Sequence, residues 1–179
     1  RAADTNETSV LFVAGAPGEP EYASNLVRQA TLWSRACDQA GVEFQVVSDD
    51  VLLGGSKQRI MMDVFAAHPE GVVYPGPSNG YAQIALSLAA KLSKSRTILL
   101  LPKVRPMLPQ TVLAMQLGGD VREYEGEAGK LSNLRQIAEE ISVAEGMYLP
   151  KLGFEGDEFN TLMTSALDVS LDLNRDDAY

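Results

Sequence analysis

The chain has 179 residues, of which 45% are apolar and 22% are charged, as in an ordinary soluble globular protein. This length corresponds to about one domain and is sufficient to bury a core without a metal or a disulfide. The net charge is −9, and seven of the 24 acidic residues lie at 155–179 beside a single base. Because phosphate neutralisation requires a basic face, this balance disfavours nucleic-acid binding.

The scarcity of cysteine and histidine narrows the possible chemistry. Cys37 is the only cysteine and His68 the only histidine, which excludes an internal disulfide framework, a cysteine-based zinc site and any site that needs two imidazoles. We therefore predict no metal site. The longest uncharged apolar run, at 97–102, is far shorter than the roughly 20 residues of a membrane span, and no signal peptide is evident. We expect a reducing compartment, the cytoplasm or an organelle matrix, and no membrane partner.

Short apolar runs alternate along the chain with longer segments of helical period. The first run, at 9–14, is β-branched and aromatic and ends at a turn rich in glycine and proline, which predicts a buried strand. Residues 21–40 then have the period of a helix with one buried face. We expect that face to consist of residues at steps of three or four: Tyr22, Leu26, Ala30, Trp33 and Cys37.

The alternation continues through the rest of the sequence. Further strands are predicted at 43–48, 71–74, 96–101 and 121–124. Further helices are predicted at 57–67, 80–94, 106–117, 130–145 and 157–171. This order is typical of a parallel sheet with helices on both faces. We therefore predict an α/β fold, a Rossmann-like three-layer αβα arrangement with a mainly parallel sheet, as a single domain over 1–165, followed by an acidic, frayed tail over 166–179.

Ligands of an open parallel sheet bind beyond the carboxyl ends of its strands, and three loops lie there. The loop at 15–20 lacks the G-x-G-x-x-G spacing, so a plain turn is favoured over an anion site. The loop at 54–59 places Lys57 at a helix start, as a nucleophilic amine or as an exposed surface lysine. In the loop at 74–81, Ser78 or Asn79 can cap the next helix, and the same amides can surround an anionic ligand.

Two of these loops, taken together, resemble a known enzyme family. Gly54-Gly55-Ser56-Lys57, a helix, a strand, Ser78-Asn79-Gly80-Tyr81 and a second helix follow one another in this order. The order is similar to the small-domain part of the pyridoxal-phosphate enzymes of fold type II, the tryptophan synthase β type. The nearest branch contains aminocyclopropane-carboxylate deaminase and D-cysteine desulfhydrase. The similarity extends over residues 52–165.

The resemblance implies a function and a set of site residues. The function is that of a pyridoxal-phosphate-dependent lyase or deaminase acting on a small amino acid. Lys57 is then the catalytic residue, which forms the Schiff base with the cofactor aldehyde. Ser78, Asn79 and Gly80 then bind the cofactor, and Ser78 and Tyr81 bind the substrate.

Three interpretations remain open at the level of the sequence, because enzymes of this family carry their glycine-rich phosphate loop in a second, larger domain. The first is that the chain is part of such an enzyme, or that a partner chain holds the phosphate. The second is a non-catalytic scaffold subunit that keeps the fold and docks a basic partner through its acidic tail. The third is a flavodoxin-like domain that binds a nucleotide or sugar phosphate at 15–18. A protein partner or a homo-oligomer is expected.

Overall fold

A computed structural model describes residues 9–15, 20–154 and 156–176. Internal contacts divide the chain into two compact units, Arg1–Ser56 and Lys57–Tyr179. The first unit contains β1 (Ser9–Ala14), α1 (Pro20–Ala40) and β2 (Glu43–Ser48). The second contains α2 (Gln58–Ala67), β3 (Val72–Pro75), α3 (Ala82–Ser93), β4 (Thr97–Pro102), α4 (Pro109–Gln116), β5 (Asp120–Tyr124), α5 (Leu131–Glu145) and α6 (Asp157–Asp176).

The first unit is a strand–helix–strand arrangement. Strands β1 and β2 pair in parallel, with Ser9 opposite Glu43 and Ala14 opposite Ser48. Helix α1 contacts both strands, and its Cys37 is buried. Parallel neighbours need a crossover connection, which α1 provides.

The inward face of α1 differs in part from the predicted one. Tyr22 and Trp33 are 60% and 53% exposed, whereas Ala23 and Ser34 are half-buried. With 3.6 residues per turn, a stripe shifted by one residue fits the helical period almost equally well. Small side chains on the inward stripe allow the helix to lie close to the strands, and the large aromatic rings are left outside.

The second unit is built on a parallel sheet with the strand order β3-β4-β5. Val72 lies opposite Thr97, and Ile98 lies opposite Asp120. After α5 the chain returns to the β3 side, where the Val73 amide donates to the Tyr148 carbonyl at 2.8 Å. The central strand β4 is buried from Thr97 to Leu101, as a nearly continuous apolar strand requires when both faces of its sheet are covered.

Helices cover both faces of this sheet. On one face, residues of β3 and β4 pack against α2, α3, α4 and α6; the strand residues are Val72, Tyr74, Leu99 and Leu101. On the other face, Val73, Ile98 and Leu100 pack against Leu134 and Ala138 of α5. Helices and parallel strands alternate along the described chain, so the predicted Rossmann-like, three-layer αβα fold is confirmed.

The boundaries of the elements follow the predictions with small shifts. The helix expected at 80–94 begins at Ala82, and the one expected at 106–117 begins at Pro109. The last helix extends to Asp176, so α6 includes most of the acidic segment expected to be frayed. The single domain over 1–165 stays a prediction. Within the described part of the chain, no helix combines the length and the apolar character that crossing a bilayer demands.

We expect Gly71→Ala to destabilise the fold more than Gly146→Ala. Both glycines have positive φ, +106° and +64°, where alanine costs about 1–2 kcal/mol. A Cβ at Gly71 would also lie 2.6 Å from the Arg96 carbonyl oxygen, whereas a Cβ at Gly146 meets nothing within 4 Å. Overpacking should add about 1–3 kcal/mol at Gly71 alone. Urea unfolding of the two variants measures the difference, and equal losses would contradict the close contact at Gly71.

Candidate functional site

The loop between β3 and α3 is held by buried and half-buried hydrogen bonds to its neighbours. The Ser78 hydroxyl donates to the Pro102 carbonyl at the end of β4. The Ser78 carbonyl accepts from Gln83 Nε2 at 2.7 Å and from Thr111 Oγ1 at 3.1 Å. Ser78, Gln83 and Thr111 are all nearly inaccessible to solvent. The loop is therefore fixed to β4, α3 and α4 at once.

Lys57 lies immediately before the first residue of α2 and already has a helical backbone, with φ −62° and ψ −25°. Its side chain is half-buried and lines a cavity of about 390 Å³. Tyr74 from β3 and Gly80, Tyr81 and Gln83 from the loop and the start of α3 line the same cavity. The second unit thus supplies a concave site at the carboxyl end of β3, with Lys57 among its lining residues.

The structure brings together some of the predicted site residues. Lys57, Gly80 and Tyr81 share the cavity. Ser78 is buried, but its hydroxyl and carbonyl are engaged by Pro102, Gln83 and Thr111, so its visible role is to hold the loop. Asn79 is exposed, at the tip of a turn closed by the Gly80 amide and the Pro77 carbonyl at 3.1 Å. The assignments of Ser78, Asn79 and Gly80 to a cofactor, and of Ser78 and Tyr81 to a substrate, stay predictions.

The start of α3 gives the cavity a preference for anions. Gly80, Tyr81 and Ala82 line it, and the Tyr81 side chain makes no capping hydrogen bond. The first amides of a helix have no acceptor within the helix and carry the positive end of its dipole. Helix α3 is 12 residues long, so this end of the cavity favours a carboxylate or a phosphate.

Tyr74, which also lines the cavity, is a buried tyrosine. Its ring stacks on Phe154 at a centroid distance of 5.1 Å. Burial raises the pKa of Tyr74, and a backbone hydrogen bond from Gly153 opposes that rise only in part. The phenol therefore stays protonated at neutral pH and can act as a hydrogen-bond donor.

Sequence reasoning missed Gln83. The residue is 1% exposed, and within the described residues its Oε1 atom has no hydrogen-bond partner. The available signal was the position of Gln83 among the apolar residues of α3. An amide buried there is expected to have a hydrogen-bond partner, because buried polar groups are normally paired.

The glycine-rich turn proposed for a nucleotide or sugar phosphate, at 15–18, lies outside the described residues except for Gly15. Gly15 lines a separate cavity of about 260 Å³ within the first unit, beside Phe12 and Leu26. This second cavity is bounded mainly by apolar side chains of β1, α1 and β2. The nucleotide interpretation stays a prediction.

No protein-family model matches the chain, and no curated protein matches its sequence. Among solved structures, Escherichia coli diaminopropionate ammonia lyase in an apo form aligns over 71% of this chain and 38% of its own, with a TM-score of 0.43 and 9% identity. A holo form of that enzyme aligns over 97% of this chain and 42% of its own, with a TM-score of 0.41 and 9% identity. The chain therefore spans about two fifths of the length of these proteins.

We expect Ser78→Ala to lower stability by about 1 kcal/mol, because it removes the buried hydroxyl that donates to the carbonyl of half-buried Pro102. Its neighbour provides a matched control. Asn79→Ala changes an exposed side chain and should stay within about 0.5 kcal/mol of the wild type. Chemical denaturation of both variants measures these values. Equal stability of the two variants would show that the Ser78 hydroxyl does not hold the loop.

Tyr74 should make stability fall in alkaline solution. Its folded-state pKa is raised, so its contribution is complete below about pH 10, where an unfolded tyrosine ionises, and is lost as pH rises through the folded-state pKa. One titrating group changes the free energy of unfolding by at most about 1.4 kcal/mol per pH unit. Tyr74→Phe should reduce the alkaline slope, as measured by urea unfolding on both sides of this pH. An unchanged slope would contradict burial of the phenol.

Proposed function

We propose that the second unit is a pyridoxal-phosphate-dependent, lyase- or deaminase-like domain acting on a small amino acid, with Lys57 as the amine that binds the cofactor aldehyde. The observation that carries the proposal is the position of Lys57 on the same cavity as Gly80, Tyr81 and the start of α3. Lys57 and the Gly80–Tyr81 pair belong to the two loops on which the family resemblance rests. Lys57 of the first loop and Asn79 of the second are 22 residues apart in the sequence.

The residues of the cavity suit such a cofactor and its substrate. The volume of about 390 Å³ lies within the range of small-molecule sites. Lys57 provides the amine, and the first amides of α3 favour a carboxylate. Gln83 adds a buried acceptor that has no partner within the described residues. When bound, the cofactor supplies the electron sink for bond breaking at an amino acid.

Each group of this chain then has a definite task. Lys57 holds the cofactor and sets its place against the substrate. The amides at Ala82 and Gln83 orient the substrate carboxylate, and the protonated Tyr74 phenol donates a hydrogen bond into the cavity. The fixed loop at Ser78 keeps these amides in position, which is the preorganisation that a reacting site requires.

The proposal includes a second component for the phosphate. In the resembling family a glycine-rich loop of a larger domain binds that group. We therefore assign the phosphate to a partner chain or to a further domain, and we expect the protein to work as part of a larger assembly. The non-catalytic scaffold is the competing outcome of the experiment below.

Reductive trapping tests the role of Lys57. The chain is incubated with pyridoxal phosphate at low concentration, reduced with borohydride, digested and analysed by peptide mass spectrometry. We expect Lys57 to be modified at least about tenfold more than Lys91, which is exposed on α3. If the cavity binds pyridoxal phosphate, modification of Lys57 should reach a plateau as the concentration of pyridoxal phosphate is raised. Modification of surface lysines should instead increase in proportion to that concentration.

Two variants complete this test. Lys57→Ala should abolish the saturable modification, and Lys91→Ala should leave it unchanged. If Lys57 reacts no more than Lys91 in the wild type, the cofactor does not bind there, and the scaffold interpretation replaces the enzyme.

A further inference from the structure

A second cavity in the same unit lies beside the start of α6. Its volume is about 300 Å³, which is within the range of small-molecule sites. Residues of α2, of the segment that returns to the β3 side, of the turn before α6 and of α6 itself line it. The apolar side chains among them are Val64, Leu149, Pro150, Phe154, Phe159 and Leu162. We call it the Phe154 cavity, and its walls suit an apolar group.

Phe154 connects this cavity to the Lys57 cavity. It lines the Phe154 cavity, and its ring stacks on Tyr74, which lines the other one. Among the residues that the structure describes, the two cavities have no lining residue in common. The backbone of Phe154 is left-handed, with φ +57°, which is unfavourable for a bulky side chain. Strain of this kind persists where surrounding contacts hold it, and it is typical of ligand sites.

Charged residues of both signs line the Phe154 cavity without neutralising one another. Lys151 carries an ammonium group, and Asp157 and Glu158, the first two residues of α6, carry carboxylates. Over the described part of the chain, none of these three residues forms a salt bridge. The Lys151 Nζ atom lies 3.5 Å from the position that a Cβ on Gly156 would take, and Gly156 also lines the cavity. The ammonium is therefore at the cavity, beside the helix end that favours anions.

The Glu158 carboxylate has only a weak partner. Its Oε2 atom accepts from the Tyr148 hydroxyl at 3.5 Å, whereas an O–H···O hydrogen bond is ordinarily about 2.5–3.0 Å long. Tyr148 also lines the cavity, and its ring is held by a parallel stack on His68 at 3.6 Å. Burial raises the pKa of Tyr148, and the charge of Glu158 adds to the rise. This end of the cavity is thus negative and favours a cationic donor.

We propose that the Phe154 cavity binds an apolar α-amino acid, whose side chain packs on Phe154, whose carboxylate faces Lys151 and whose ammonium group faces Glu158. An α-amino acid carries one charge of each sign next to its side chain. It can therefore neutralise charges that do not pair with each other, while its side chain is removed from water. The inference goes beyond the proposed function and does not rest on it, because it concerns another cavity.

Four related molecules test the proposal. Leucine carries both charges and an apolar side chain. 4-Methylpentanoate is leucine without the ammonium group, 3-methylbutylamine is leucine without the carboxylate, and alanine keeps both charges but has only a methyl group. Their affinities for the full chain are measured by a nitrogen-15 NMR titration that follows the amide signals of Gly156 and Phe159. The signals of Gly80 and Tyr81 report the Lys57 cavity in the same spectra.

We expect leucine to bind most tightly, with the shifts largest at Gly156 and Phe159. Loss of either charged group should weaken binding about fivefold, because ion pairs at an open site contribute less than buried ones. Alanine should bind at least about tenfold more weakly than leucine, because it lacks three carbon atoms that would leave water.

Two variants assign the charges. Lys151→Met should weaken leucine about fivefold and leave 3-methylbutylamine nearly unchanged. Glu158→Gln should weaken leucine by a similar factor and leave 4-methylpentanoate nearly unchanged. Lys91→Met and Glu140→Gln, the matched controls, make the same changes at exposed residues of α3 and α5 and should keep the affinity of the wild type. All four positions are exposed, and thermal unfolding verifies that each variant is folded.

Several results would overturn the inference. They are equal binding of leucine and its two singly charged analogues, tighter binding of the amine than of leucine, absence of binding, and shifts confined to Gly80 and Tyr81. Equal losses in the variants and in their controls would likewise reject the assigned charges. The trapping of Lys57 is a separate measurement at the other cavity, so failure of the proposed function would leave this site standing, and the reverse also holds.

Discussion

The hydrogen bonds at Ser78 are the constraint on which the candidate site depends. A strand-to-helix loop on the surface of a sheet is ordinarily the most mobile part of an α/β fold. Here its backbone carbonyl accepts from two side chains, and its hydroxyl group donates to the end of β4. Because Ser78, Gln83 and Thr111 are buried, breaking a bond among them leaves a polar atom unpaired. The loop is therefore as firmly placed as the elements that it connects.

This placement determines where the start of α3 points. Ala82 and Gln83, the first two residues of α3, follow the fixed loop and line the cavity. Their preference for an anion comes from the backbone and needs no basic side chain. A site built in this way suits a chain whose net charge is strongly negative. In the proposed function, recognition of an acid is local and does not depend on the overall charge of the protein.

Packing of α2 explains why Lys57 is available to this cavity. Ile60, Met61, Val64 and Phe65 of α2 are buried against the sheet. Residues three and four apart share a helix face, so Lys57 lies on the same side of the helix as Ile60 and Met61. The apolar face that anchors α2 therefore also turns the lysine towards the unit. Lys57 itself is half-buried and lines the cavity.

The sequence by itself determined the order and type of the elements, the parallel α/β class and the two loops that carry the candidate site. These features have local signals: the period of apolar residues, the glycines at turns and the β-branched runs. Only the tertiary structure decided which stripe of α1 faces inward, that Asn79 is exposed while Ser78 is buried, and that Gln83 joins Lys57 at one cavity. The decisive bonds join Ser78 to residues 24 and 33 positions away, Pro102 and Thr111. Contacts at such separations arise when packed layers meet, and no pattern in the neighbouring sequence encodes them.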